Sequence, residues 1–332
     1  MTALPLLLLA LAQDGDRLLA TIPEDVKVGH LAFSADGRVA AYAAWKGDRC
    51  QIVAGTWKSK SYGVAACPIL SRNGKDVIFM ASHERNSIVC LNDSVLLETT
   101  REWTWSLPGA VSSDFKTTAQ VVHSLDATTS AVVLDGKIQK IHSGIAQPPV
   151  LSENGKVFAF ALEKKGDHSI VVNDTQGPIY DWVTNPVLSA DGKITAYGAE
   201  TPKEEFLVIH GDRKILVKTV PTGVFLSQDG ASVGYWRVHR KEGNKKIYRV
   251  SVGEKEGPEF AGINSGPVFS LDAAHVAYRA TGLDGKKVVV MDGRTFEAPD
   301  IESAPVFLDG GKRVGYGARK GRELWWRTIE VP

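Results

Sequence analysis

The chain has 332 residues, with 39 basic and 38 acidic side chains and a formal net charge of +1 at pH 7. So even a balance gives no electrostatic case for nucleic acid or for an acidic membrane surface. Beyond the N-terminal segment no apolar run approaches the roughly 20 residues of a membrane span, and no window holds a 3.6-residue period, so an all-β chain that does not span a membrane is expected.

Met1 to Gln13, MTALPLLLLALAQ, is apolar from Ala3 to Ala12 and closes on Ala10-Leu11-Ala12, an A-x-A cleavage pattern. It is short for a secretory signal and lacks a basic n-region. Export with loss of residues 1–12 is the expectation, which places a single domain, residues 13–332, in the periplasm or outside the cell. Arg17 to Ile22, RLLATI, then reads as a lone strand.

From there one unit repeats eight times. An apolar pentad ends in an anchor residue, at Ser34, Ser71, Ser112, Ser152, Ser189, Ser227, Ser270 and Leu308, spaced 37 to 43 residues apart. Such a period marks a repeat architecture. After the anchor come Asp36-Gly37, Asn73-Gly74, Asn154-Gly155, Asp191-Gly192, Asp229-Gly230 and Gly310-Gly311, dipeptides that accept the positive φ of a tight hairpin. An aromatic stands eight residues past the anchor at Tyr42, Phe79, Phe160, Tyr197, Tyr235, Tyr278 and Tyr316. The third copy alone lacks the aromatic, with Gln120 in its place, and there Asp114-Phe115 replaces the turn dipeptide. Each anchor Ser is expected to bond a turn amide, because a residue needed in seven blades is architecture rather than a nucleophile.

Four short strands per copy predict an eight-bladed β-propeller of four-stranded antiparallel blades. The last copy ends after three strands at LWWRTI, Leu324 to Ile329, while Arg17 to Ile22 is spare. Pairing the two closes the ring and removes two open edges. Cys50, Cys67 and Cys90 contain no CxxC or zinc-ligand spacing and are read as buried thiols, the alternative being one disulfide between neighbouring blades.

The stretches LSADGKITAYGA (Leu188 to Ala199) and GPVFSLDAAHVAY (Gly266 to Tyr278) resemble the WD-like repeats of the TolB type. Gly177-Pro178-Ile179-Tyr180 and Gly257-Pro258-Glu259-Phe260 resemble the fourth strand of that family. The resemblance runs from Val26 onward and implies an exported bacterial propeller that serves as a scaffold for protein contacts. TolB itself works in the periplasm with a lipoprotein partner. Its extra N-terminal α/β domain has no counterpart here, nor has the hydrolase domain of propeller peptidases.

Chemistry is sparse. There is no G-x-S-x-G elbow, no HExxH and no cofactor motif, so no cofactor is expected. His83, His123, His168 and His239 fall in or beside the loops joining second and third strands, which gather around the mouth of a propeller channel. His83, His168 and His239 are the metal candidates, by resemblance to oligogalacturonate lyases that hold manganese on such a propeller. Asp48, Glu84, Asp126, Glu163, Asp167, Glu204 and Glu205 lie in the same loops and are the acids an acid-pair glycosidase would draw on.

Binding is the better-supported reading. Trp45, Arg85, Trp105, Trp182, Trp236, Arg237, His239 and Arg240 fall in or beside the mouth-facing loops, and Trp and Arg anchor interfaces. Trp236 follows the core aromatic where most other copies carry a small or apolar residue, so it either meets a ligand or fills a gap between blades. With Lys241, Lys245 and Lys246 its neighbours make the sixth copy locally basic. The expected function is a non-enzymatic scaffold, monomeric, that holds a protein partner or an envelope or matrix component. The alternative is a carbohydrate-cleaving enzyme, a metal-dependent lyase or an acid-pair hydrolase, on the same face.

Overall fold

A computed structural model describes residues 15–331, apart from 84–85, 100–102, 106–108, 125, 127, 146–147, 202 and 204. Eight antiparallel sheets follow one another along the chain, and the described residues contain no α-helix. Blade 1 runs Lys27–Phe33, Ala40–Lys46, Arg49–Ala54 and Trp57–Lys58 from innermost to outermost strand. The chain is an eight-bladed β-propeller.

Closure follows the spare strand. In blade 8, Val306–Leu308, Arg313–Lys320 and Glu323–Glu330 are joined by Arg17–Thr21 as outermost strand. The register sets Arg17 opposite Trp326, Leu18 opposite Trp325 and Thr21 opposite Glu323. Ile22 is 1% exposed, and Arg322 bonds the carbonyls of Pro23 and Glu24. Trp326 is buried, and Arg327 lies over the Trp325 ring.

The anchor serine explains each inner hairpin. Ser34 is wholly buried, donates to Asp36 Oδ1 (2.7 Å) and accepts the Val39 amide (2.9 Å). Asp36 Oδ1 also takes the Arg38 amide at 3.0 Å. The same set recurs at Ser71–Asn73, Ser112–Asp114, Ser152–Asn154, Ser189–Asp191, Ser227–Asp229 and Ser270–Asp272. A buried hydroxyl is thereby satisfied in both senses. These hydrogen bonds favour the ionised carboxyl; the Lys193 amide first, then the Lys193 and Ser189 side chains, lower Asp191 to about 2. As pH falls below the ordinary value of 3.8, the unfolded chain protonates first, so this contribution, complete above that range, fades toward about pH 2. Asp191→Asn, the residue type that blades 2 and 4 use, keeps the Oδ1 bonds to Ser189 and the Lys193 amide, gives up only the exposed Lys193 ion pair, and removes the titration. Its melting temperature should be close to the parent's at pH 7 and fall less between pH 4 and 2; an unchanged acid slope contradicts the assignment.

The turn glycines answer to two constraints. Gly74 and Gly192 have φ of +69° and +76°, and a Cβ on either would stand 2.5 Å from Val39 or Val157 of the preceding blade. Backbone bonds tie the hairpins together at this level, Asp36 N to Arg72 O (3.0 Å) and Ala190 N to Gln228 O (2.8 Å) among them. Blade 3 makes the same turn with Phe115 at φ +60°, its ring packed against the cluster shared with blade 2.

The core is distributed around the ring. Eight apolar clusters each span one interface: Ile52 and Tyr62 of blade 1 with Phe79 of blade 2, Tyr180 with Tyr197 across blades 4 and 5, Ile22 and Leu324 of blade 8 with Tyr42 of blade 1. Within four of these interfaces a ring from the outer edge of one blade meets the next blade's repeat aromatic edge-on, Tyr62–Phe79 (5.9 Å), His142–Phe160 (5.2 Å), Tyr180–Tyr197 (6.0 Å) and Phe260–Tyr278 (5.8 Å). Gln120 is buried in the aromatic's position and accepts the Gly109 amide at 2.9 Å. No blade could bury such a face alone. Cys50 and Cys90 are buried and Cys67 is partly so; all three are free thiols, raised by burial. Among the described residues no helix is long and apolar enough to cross a membrane.

Candidate functional site

In an antiparallel blade the hairpins joining second and third strands share one end with the blade-to-blade connections. Blade 6 carries the longest of these hairpins, Val233–Glu242 with Lys245–Val252. Its alternation sends Tyr235 and Arg237 toward blade 5 and Trp236 toward blade 7.

Trp236 lies opposite Gly223 on the innermost strand, Pro221–Leu226. A Cβ at Gly223 would collide with the indole, and one at Gly266 of blade 7 would lie 3.7 Å from it. The half-buried indole packs against the Phe225, Val250 and Tyr278 cluster, so it does fill the gap between two blades. It also lines a groove of about 640 Å³ along the channel wall. Val187, Leu188, Val224, Leu226, Val268 and Phe269 form most of that wall, with Pro186 and Pro267 beside them and Asn185, Thr222 and Gln228 as polar points. The innermost strands of blades 5 and 7 break just there, into Trp182–Val183 with Val187–Leu188 and Gly262–Ile263 with Val268–Phe269. Proline has no amide to give a ladder.

On the other face of blade 6 the cations have acids to themselves. Arg237 is 3% exposed and bonds Glu256 Oε1 at 2.6 Å; Arg249 bonds Glu256 Oε2 (2.9 Å) and Glu259 Oε1 (3.0 Å). Arg240 bonds Glu259 Oε2 (2.7 Å) and pairs with Glu242. His239 lies 3.5 Å from Glu259 and 3.3 Å from the Arg237 guanidinium. Arg240 first, then Arg249, hold Glu259 at about 2 against burial. Burial raises Glu256, and the bonds from Arg237 and Arg249 outweigh it. The sixth copy is therefore less basic than its sequence suggests: Arg237, His239 and Arg240 belong to a cross-strand network, and Lys241, Lys245 and Lys246 are the exposed cations.

The other expected residues scatter. Trp45 is half-buried at the end of a blade 1 strand, opposite Cys50, against the cluster of blades 1 and 2. Trp182 is half-buried opposite Glu200 in blade 5. Arg85, Glu84 and Glu204 lie outside the described residues, as do the side chains of Trp105 and His83. His168 lines a hollow of about 340 Å³ on blade 4 with Lys164, Lys165 and Asp167. His123 bonds Ser130 at 2.8 Å, and Asp126 is taken up in a turn by Ser124 and Thr128. Among the described residues no three His, Cys, Asp or Glu side chains gather as metal ligands. Glu256 and Glu259, which engage the blade 6 cations, had escaped the sequence reading; Glu259 stands in the quoted Gly257-Pro258-Glu259-Phe260 segment.

Likenesses to solved structures agree with this fold. The C-terminal WD40 domain of Sif2 superposes with a TM-score of 0.53 at 9% identity, covering 96% of this chain and 98% of that one. Oligogalacturonate lyase from Vibrio parahaemolyticus gives 0.51 at 11% identity, over 83% of this chain and 92% of its own. An oligogalacturonate lyase in complex with manganese gives 0.50 at 13%, over 96% and 93%. At such identities the likeness is one of fold alone. No protein-family model matches the sequence, and no curated protein matches it.

Proposed function

We propose that the chain is a non-catalytic binding propeller of the TolB type, acting in the periplasm or outside the cell, that seats an apolar segment of a protein partner on its channel wall. The observation that carries this reading is the groove of about 640 Å³ lined by innermost strands and the Trp236 indole. An apolar cleft of that size, with a few fixed polar points, is the usual form of a recognition site. Trp236 supplies a rigid aromatic anchor held by two blades, the kind of residue that dominates interface energies. Arg237, His239 and Arg240 brace the blade 6 hairpin that frames the groove.

The test is selection from a random peptide library on the immobilised full chain. Enriched peptides should be apolar or aromatic, and Trp236→Ala should weaken them at least about tenfold, with Trp45→Ala nearly neutral. Binders indifferent to Trp236, or no enrichment, would overturn the reading. The second reading, a carbohydrate-cleaving enzyme, rests on the blade 4 hollow where His168, Asp167, Lys164 and Lys165 meet.

A further inference from the structure

A second cavity, of about 580 Å³, opens between blades 6 and 7 at the end of the sheets away from the second-to-third-strand hairpins. Val250 and Val252 of blade 6 face Phe269, Val276 and Tyr278 of blade 7 across it, and the turns at Ala273-Ala274 and Asp292-Gly293 form its rim. Tyr278 is 2% exposed, and its hydroxyl has no hydrogen-bond partner. The matching tyrosine of blade 5, Tyr197, has Tyr180 edge-on at 6.0 Å, a neighbour that carries its own hydroxyl. Blade 6 offers Phe260 in that place, edge-on at 5.8 Å but with no oxygen. A buried hydroxyl left this way carries an uncompensated desolvation cost, which a ligand can relieve.

Two features make the hydroxyl reachable and give the cavity a sign. Gly257 leaves space, since a Cβ there would sit 3.4 Å from the Tyr278 oxygen. Lys255 lies opposite Val252 on the outermost strand and turns to the same face as that cavity residue, whereas Glu256, opposite Ser251, turns to the other face, where Arg237 and Arg249 hold it. Asp292, the other rim acid, is bonded by His275 (2.7 Å) and by the Val276 amide (2.8 Å). Both acids are thus engaged, and Lys255 has no ion pair among the described residues. Burial raises the Tyr278 phenol, so it stays a neutral donor at physiological pH.

We propose that this cavity binds a small apolar carboxylate, an aliphatic or aryl acid. Its carboxylate is received by the Tyr278 hydroxyl and the Lys255 ammonium, and its hydrocarbon body rests on Val250, Val252, Phe269 and Val276. The site meets the channel-wall groove at Phe269, which lines both, while the groups that would receive the carboxylate, Tyr278 and Lys255, line only this cavity.

Decanoate, with decanol as its uncharged control, tests this by calorimetric titration of the full chain at pH 7. Decanoate should bind at one site and decanol at least tenfold more weakly. Lys255→Met should erase that preference, and Gly257→Val should abolish binding. Tyr278→Phe should weaken decanoate at least tenfold while the melting temperature holds or rises, because the variant sheds an unpartnered hydroxyl. No decanoate binding at millimolar concentration overturns the proposal, as does equal binding by wild type and Tyr278→Phe. A fall of several degrees in the melting temperature of Tyr278→Phe also overturns it, since the hydroxyl would then already serve a structural partner.

Discussion

Deleting residues 15–22 should lower the melting temperature by about 10 °C or more and make the protein aggregate. The segment supplies the outermost strand of blade 8, pairing Arg17, Leu18, Ala20 and Thr21 with the strand Glu323–Glu330. It also brings Ile22 into the cluster shared by blades 8 and 1, where Leu324 is wholly buried. Losing the isoleucine alone costs about 2–5 kcal/mol. The stripped strand keeps a row of unpaired amides and carbonyls, which recruits another chain. Ile22→Ala isolates the packing part, with the ladder intact, and should cost less than the deletion. Thermal unfolding with light scattering checks both, and an unchanged melt in the deletion contradicts the closure.

Gly192→Ala should be far more damaging than its single added methyl suggests. Two effects add. The left-handed backbone at φ +76° costs an L residue about 1–2 kcal/mol. The new methyl would also overlap Val157 of the preceding blade, and overpacking costs about 1–3 kcal/mol. Gly243, at φ +57° with nothing within 4 Å of a Cβ, carries the first effect only. Gly243→Ala should therefore lose about 1 kcal/mol and Gly192→Ala two to four times as much. Adding Val157→Ala should recover part of the Gly192→Ala loss, a coupling readable in a double-mutant cycle by denaturant unfolding. Equal losses at the two glycines would mean that the blades do not meet there.

Much of this architecture could be read from the chain. Ser34 and its repeats, the Asp-Gly and Asn-Gly turns and the spare strand at Arg17 act within one blade or at its ends, where sequence offsets map directly onto contacts. Contacts between blades were less accessible. Gly192 reads as a turn residue, and its second constraint comes from Val157, 35 positions away in the chain. Arg237 and Arg240 read as a free basic patch because the acids that engage them, Glu256 and Glu259, lie two strands away, and a bulge between Val238 and Arg240 shifts the register. Trp236 could be assigned to packing or to ligand, and it is placed for both, over Gly223 and along the groove. The groove was the least visible feature of all. Its wall is ordinary valine, leucine and phenylalanine from several separate copies, and nothing in any one copy distinguishes them from core.

Everything proposed for the channel wall requires the ring to be shut by its first strand. Thr21→Cys with Glu323→Cys tests this directly, since these residues are partners across the antiparallel pair, at a Cα separation of about 4.5–5.5 Å that a disulfide can span. Peptide mapping of the oxidised, monomeric protein should recover the 21–323 cross-link as the dominant species, with a melting temperature above that of its reduced form. Free thiols at both positions, or a cross-link found only between molecules, would contradict the closed ring.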